Sequence, residues 1–132
     1  MVRKNTELPT GSEAILVVDD VEDMAKMAVT ILSRLGYTVT STSDPKEAKA
    51  ILEEKGDLFH LLLTDLVMPE VDGLELAAFA RANCQCIKIL AVSGYSEQLN
   101  DARFSNLFDG VVTKPYRRAK LASTLRHTLD GD

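Results

Sequence analysis

Asp19 and Asp20, Asp65, Ser93 and Lys114 each stand at the end of a short apolar run, so five reactive side chains come from four separate places in the chain. Three carboxylates brought into one pocket repel one another unless a divalent cation lies between them or some of them take up protons. A donor set made only of oxygens suits Mg²⁺, which binds through a few carboxylates and keeps waters and phosphate oxygens in its shell. The Lys114 ammonium adds one fixed positive charge, and the Ser93 hydroxyl can donate a hydrogen bond to a phosphoryl oxygen. A carboxylate can also act as a nucleophile and form an acyl phosphate. Phosphoryl transfer asks mainly for positioning and charge neutralisation, and this set supplies both.

Taken singly, each residue has a plainer reading. Asp19-Asp20 could be an acidic turn that caps the next helix. Asp65 could be a loop carboxylate ahead of Pro69, Ser93-Gly94 a turn, and Lys114 a surface charge. Ala91 stands where a G-x-S-x-G motif has its first glycine, so Ser93-Gly94 is not a hydrolase nucleophile elbow. Only the joint occurrence, each residue at the end of an apolar run, speaks for a site.

The elements that position the set follow from the hydrophobic pattern. Ala14–Val18, Leu61–Leu63 and Ile87–Val92 are continuous apolar runs, as expected of strands buried on both faces of a parallel sheet. Tyr37–Ser41 alternates like an edge strand, and Gly110–Thr113 makes a short fifth strand. Val21, Met24, Ala25, Ala28, Leu32 and Leu35 recur at helical spacing, with Gly36 placed to end that helix. Asp44, Pro45 and Glu47 form a capping-box pattern for a second helix. A third opens at Asp72 or Gly73, where the glycine permits a tight turn, a fourth at Ser96, and a fifth covers Arg117–Leu129. Strand and helix thus alternate five times, which implies right-handed crossovers and helices on both faces. The expected fold is α/β and flavodoxin-like, with five parallel strands in the order 2-1-3-4-5, and ligands in such sheets bind beyond the carboxyl ends of the strands.

With 132 residues, the chain has room for one domain, and its 45% hydrophobic content supports a normal core. We expect a flexible leader or linker over residues 1–12, the domain over 13–129 and a tail over 130–132. A net charge of -5 offers no basic face for nucleic acid. Apolar runs fall far short of the roughly 20 residues that span a bilayer, and no signal peptide is evident, so no membrane insertion and a cytoplasmic location are expected. Cys84 and Cys86 lack further ligands for a zinc site and are expected to be buried or half-buried thiols. His60, at a strand start, is expected to be structural and His127 solvated. Met27 lies about 120° off the apolar stripe of the first helix. A partly covered flank of the core is its plainer reading, and a docking point for a partner helix the other.

The motifs Leu16-Val17-Val18-Asp19-Asp20, Leu63-Thr64-Asp65-Leu66-Val67-Met68-Pro69 with Asp72-Gly73, Val92-Ser93-Gly94 and Thr113-Lys114-Pro115 together resemble the receiver domain of two-component response regulators. The likeness spans residues 13–129. It implies that Asp65 accepts a phosphoryl group from a phosphohistidine on a sensor histidine kinase or histidine phosphotransfer protein. It further implies Mg²⁺, with Mn²⁺ able to substitute, held by Asp20 directly, by Asp19 mostly through water, by Asp65 and by the Val67 carbonyl. Ser93 would follow the phosphoryl group inward, Lys114 would bond its oxygens, and the Lys114–Pro115 peptide would be cis. Such a domain assists its own phosphorylation and dephosphorylation without turning over a free substrate. It would be a monomer or a weak phosphorylation-dependent dimer. The polar leader ending at Gly11 favours a receiver within a hybrid sensor kinase over a stand-alone regulator.

Two departures from the family pattern stand out. Val111 replaces the usual Tyr or Phe three residues before the lysine, and Tyr95 and Tyr116 are the candidates to substitute for it. Val67 and Tyr95 stand two residues after Asp65 and Ser93, where the family tunes access of the hydrolytic water, and they are expected to shield the acyl phosphate. Other functions on such a scaffold fare worse. Asp19-Asp20 would repel a flavin phosphate, and a haloacid-dehalogenase-type phosphatase needs a second Asp where Val67 stands. A pure interaction module that keeps the fold without being phosphorylated is the remaining alternative.

Overall fold

The computed structural model describes residues 8–84, 86–94 and 104–131. Five strands, β1 (Ala14–Val18), β2 (Thr38–Thr42), β3 (Leu61–Asp65), β4 (Lys88–Ser93) and β5 (Gly110–Thr113), form one parallel sheet in the order β2-β1-β3-β4-β5. Helices α1 (Glu22–Arg34), α2 (Pro45–Lys55), α3 (Gly73–Asn83), α4 (Phe104–Leu107) and α5 (Arg118–Asp130) connect and follow the strands, with a 3₁₀ turn at Gly56–Leu58. The expected class, strand order and parallel pairing are all present. The helix expected from Ser96 falls largely outside the described residues, which show only its Phe104–Leu107 part.

The period of two along each strand divides the core into two layers. Leu16 and Val18 of β1, with Leu62, Ile89 and Ala91, pack against α2 and α3. Ile15 and Val17, with Leu61, Leu63, Leu90 and Val92, pack against α1 and α5. Burial on both sides is why β1 and β3 are apolar without alternation: Ile15, Leu16, Val17, Leu61, Leu62 and Leu63 are all 0% exposed. β2, on the edge, alternates and keeps Thr38, Thr40 and Ser41 exposed.

Helix ends explain several local choices. The α1 helix stops at Leu35 because Gly36 takes φ +104°, and a Cβ there would sit 2.4 Å from the Gly11 carbonyl oxygen. Asp44 caps α2 by accepting from the Lys46 N–H at 2.9 Å. Glu47, though, does not close the expected capping box: its carboxylate accepts from the Thr42 hydroxyl, and the Asp44 N–H donates to Thr42 Oγ1 at 3.1 Å. The apolar stripe of α1 also begins later than its periodicity implies, since Val21 lies at the N-cap and is 47% exposed. Tyr37, expected to open β2, instead precedes the strand and is buried beside α1 and α5.

Among the outlying residues, Cys84 is buried but Cys86 is exposed, which corrects the expectation for the second thiol. Cys86 sits past the end of α3, where the chain turns toward β4 at the surface. His127 is exposed, and His60 accepts the Ala14 N–H through Nδ1 at 3.0 Å, a structural role. Met27 is 44% exposed, more than a covered flank of the core would be.

Residues 10–13 are tied to α5 by Arg126, whose guanidinium donates to Glu13 Oε1 and Oε2 at 3.1 and 2.6 Å and to the Thr10 carbonyl at 3.2 Å. The Arg126 hydrogen bond holds the Glu13 carboxyl down from its ordinary 4.5 to about 2, against the opposing effect of burial. A carboxyl with a depressed folded pKa stabilises the protein above its unfolded pKa, and this contribution is lost as pH falls through the folded value. Glu13→Gln should therefore cost stability at neutral pH, by about 1 kcal/mol given solvent screening. Urea midpoints of the variant and wild type should converge on acidification from pH 4.5 toward about 2. A difference that persists unchanged in acid would rule the ion pair out as its source.

Candidate functional site

Parallel pairing puts the C-terminal ends of β1, β3, β4 and β5 on one edge of the sheet. Asp19 and Asp20 follow β1, Asp65 ends β3, Ser93 ends β4 and Lys114 follows β5. Backbone hydrogen bonds carry the register past the strand ends. The Asp19 N–H donates to the Thr42 carbonyl at 3.3 Å, Leu66 N–H to Val92 at 3.1 Å, and Lys114 N–H to Ser93 at 2.9 Å. The positions of these side chains are thus set by the sheet rather than by a free loop. The Lys114–Pro115 peptide is cis, as the resemblance implied.

The three carboxylates do converge. One oxygen from each of Asp19, Asp20 and Asp65 lies within 4.8 Å of the others, the only such group of His, Cys, Asp or Glu among the described residues. Lys114 closes the pocket, its ammonium 2.9 Å from Asp65 Oδ2 and 3.6 Å from Asp19 Oδ2. Asp65 Oδ1 accepts the Val67 N–H at 3.3 Å, and Asp19 Oδ1 accepts the Val21 N–H at 2.9 Å.

The electrostatics follow from burial. Asp19 is 0% exposed, and desolvation raises its pKa; the Val21 N–H and Lys114 oppose this, while the charges of Asp65 and Asp20 add to it. Burial alone would lower the Lys114 pKa, but the hydrogen bond to Asp65 and the charges of Asp19 and Asp65 outweigh it, so the net shift is upward. Two buried polar atoms, Asp19 Oδ2 and Ser93 Oγ, have no hydrogen-bond partner among the described residues. Buried polar groups are normally satisfied, so two orphans facing one acidic pocket indicate groups that await a ligand. An oxygen-only cluster with an unsatisfied carboxylate oxygen fits a hard divalent cation.

Asp19, Asp20, Asp65, Ser93 and Lys114, grouped from the sequence, therefore all stand at this edge. Val67 is 59% exposed on the loop after β3, and Val21 and Val67 are the exposed apolar side chains adjoining the acids in sequence. Gly73 does more than permit a turn: a Cβ there would come within 2.4 Å of the Asp65 carbonyl oxygen, so the start of α3 lies against the end of β3. Tyr116 is buried in the α1–α5 layer, whereas Val111 packs in the α2–α3 layer across the sheet. Tyr116 thus cannot fill the place that the Val111 position leaves without an aromatic. Tyr95, the other candidate, lies outside the described residues. Sequence reasoning missed Thr42, whose carbonyl holds the Asp19 N–H; a backbone contact leaves no side-chain signal.

The family model for the response regulator receiver domain matches residues 15–126. The chain is 37% identical to the sensor kinase CckA of Brucella abortus over 98% of its own length, but spans only 14% of that kinase. It is 34% identical to the response regulator receiver protein CpdR of the same organism, with 87% of this chain and 95% of CpdR covered. Among solved structures, a CheY-like receiver domain protein from Methanospirillum hungatei superposes with a TM-score of 0.82 at 27% identity, over 91% of this chain and 95% of that one. The receiver domain of the hybrid histidine kinase CckA does so with 0.75 at 28% identity, over 88% and 98%. With its sheet order, its acidic cluster at the strand ends and a family match over nearly all of its length, this chain belongs to the response regulator receiver domains of two-component systems.

Proposed function

We propose that this receiver takes a phosphoryl group from a phosphohistidine onto Asp65 and changes conformation in response. The observation that carries the reading is the pocket itself: three carboxylates within 4.8 Å, a lysine on Asp65 Oδ2 and a buried, unpaired Ser93 hydroxyl. Asp19, Asp20, Asp65 and the Val67 carbonyl would hold Mg²⁺, which when bound neutralises the anionic oxygens of the phosphoryl group in flight. Mn²⁺ would serve the same donors.

In this reading the Asp65 carboxylate attacks phosphorus in line; the P–O bond to Asp65 forms as the P–N bond to the donor histidine breaks, and that imidazole takes up a proton. Lys114 lies beside Asp65 Oδ2, so a phosphoryl group there would have its oxygens within reach of the ammonium. Ser93 sits at the end of the neighbouring strand with its hydroxyl free to donate. No described helix is long and apolar enough to cross a membrane, and the partner is a sensor histidine kinase or a phosphotransfer protein. We take residues 13–129 as the receiver unit. The likeness to a receiver within CckA and to nearly the whole of CpdR leaves both settings open to the same chemistry.

Intact-protein mass spectrometry after incubation with acetyl phosphate tests the reading. One phosphoryl group should be gained with Mg²⁺ and none with EDTA. A folded protein that gains none from either acetyl phosphate or a phosphorylated histidine phosphotransfer protein would be a partner-binding module instead. Val67 offers a second test. Its isopropyl group is exposed on the loop after β3, and in this reading it keeps water from the acyl phosphate. Val67→Asn should speed loss of the phosphoryl group about threefold to tenfold, roughly 1 kcal/mol of barrier, in a time course of intact mass. An unchanged half-life would remove Val67 as a shield.

A further inference from the structure

The edge strand β2 ends in Thr42, a hydroxyl residue only 6% exposed. Its Oγ1 donates to the Glu47 carboxylate and accepts the Asp44 N–H at 3.1 Å, so both ends of the hydroxyl's hydrogen-bonding capacity are used. Such a pair of bonds fixes the side-chain rotamer and ties the last residue of β2 to the N-cap and first turn of α2. The carbonyl of that same residue accepts the Asp19 N–H at 3.3 Å, one step beyond the Val18↔Thr42 pairing that ends the β1–β2 ladder. Beyond that backbone tie, the Asp19 carboxylate has Oδ1 on the Val21 N–H, and Oδ2 without a hydrogen bond but 3.6 Å from the Lys114 ammonium. Glu47 has been drawn away from the α2 cap to make this contact, although the Asp44–Glu47 spacing would suit a capping box.

We propose that Thr42 and Glu47 are positioning residues for the acidic pair: the Thr42–Glu47–Asp44 corner locks the end of β2 and so sets where Asp19 and Asp20 stand toward a bound cation. The inference rests on the Mg²⁺ reading above. Mg²⁺ demands near-ideal octahedral geometry at short distances, so a shift of a few tenths of an ångström in a donor weakens it. Partners behind the direct ligands commonly change metal affinity by about 10- to 100-fold when removed. Glu47 is exposed, so its truncation removes the contact without opening the core.

Isothermal titration with MgCl₂ alone, paired with thermal denaturation, tests this on the full chain. Thr42→Val and Glu47→Ala should each weaken Mg²⁺ binding about tenfold, while Thr42→Ser, which keeps the hydroxyl, binds as wild type does. A merely structural corner would lower the melting temperature and leave the Mg²⁺ affinity unchanged, and that result overturns the proposal. Should Thr42→Val not fold, Glu47→Ala decides alone. If wild type itself binds no Mg²⁺, the functional reading fails first, and the two failures are told apart by that control.

Discussion

Asp65→Asn should abolish phosphoryl incorporation from acetyl phosphate in the presence of Mg²⁺ while leaving the fold intact. An amide oxygen is a far poorer nucleophile than a carboxylate, and none of the remaining groups in the pocket can replace it. Asp19 is fully buried, and Asp20 belongs with it to the acidic cluster. A loss of at least about 10³-fold, or roughly 4 kcal/mol of barrier, is expected. The fold should survive because the Asp65 side chain is bonded only to the Val67 N–H and the Lys114 ammonium; the single amide oxygen of Asn can keep the Val67 N–H, and Lys114 still has Asp19 Oδ2, 3.6 Å away, as its partner. Two readouts are needed. Intact mass should show no gain in the variant, and the phosphoryl group on wild type should be released by hydroxylamine, as an acyl phosphate is. A variant that still gains a hydroxylamine-sensitive phosphoryl group would place the acceptor on another carboxylate. The loss should also be accompanied by weaker Mg²⁺ binding, because one of the three clustered anions is gone.

What could be read from sequence, and what could not, divides along a physical line. Strands buried on both faces announce themselves through composition alone, as Ala14–Val18 and Leu61–Leu63 do, since each side chain must be apolar whichever way it points. Residues at the ends of those strands are then placed by topology, which is why Asp19, Asp20, Asp65, Ser93 and Lys114 could be grouped before any coordinates. Contacts made by one backbone on another leave no such trace. The Thr42 carbonyl on the Asp19 N–H is one case; nothing about a threonine at the end of an edge strand marks it. Glu47 escapes for a different reason: spacing alone allows both a capping box and a side-chain bond to Thr42, and only the position of β2 beside α2 chooses the second. Val21 was misplaced for a simpler reason: periodicity gives the face of a helix but not where its buried part begins, and Val21 lies at the N-cap.

Gly73 carries the other large expectation. Glycine at the first position of a helix is ordinarily a weak choice, and Gly→Ala there should stabilise by about 0.4–1 kcal/mol through the unfolded chain. Here the gain is opposed by contact. A Cβ on Gly73 would stand 2.4 Å from the Asp65 carbonyl oxygen, 2.7 Å from the Leu66 Cα and 3.1 Å from the Asp65 carbonyl carbon. All three are backbone atoms, so no side chain can swing aside; the start of α3 or the end of β3 must move. The Gly73 N–H donates to the Leu66 carbonyl at 2.8 Å, and the Asp72 side chain caps the helix on the Glu75 N–H, so a shift of α3 would strain both contacts. Overpacking of this kind costs about 3 kcal/mol, which outweighs the entropic gain and leaves a net loss of roughly 2 kcal/mol. Gly73→Ala should therefore melt roughly 6–8 °C below wild type, taking about 3–4 °C per kcal/mol for a chain of this size. The displacement also falls on Asp65, whose peptide is the one pushed, so phosphoryl incorporation should slow beyond what partial unfolding explains at a temperature where both proteins are fully folded. A variant that melts at or above the wild-type temperature would show that α3 has room to retreat, and that the glycine serves only the chain's entropy. If it melts lower but phosphorylates at the wild-type rate, the strain is absorbed by α3 rather than by the acceptor strand.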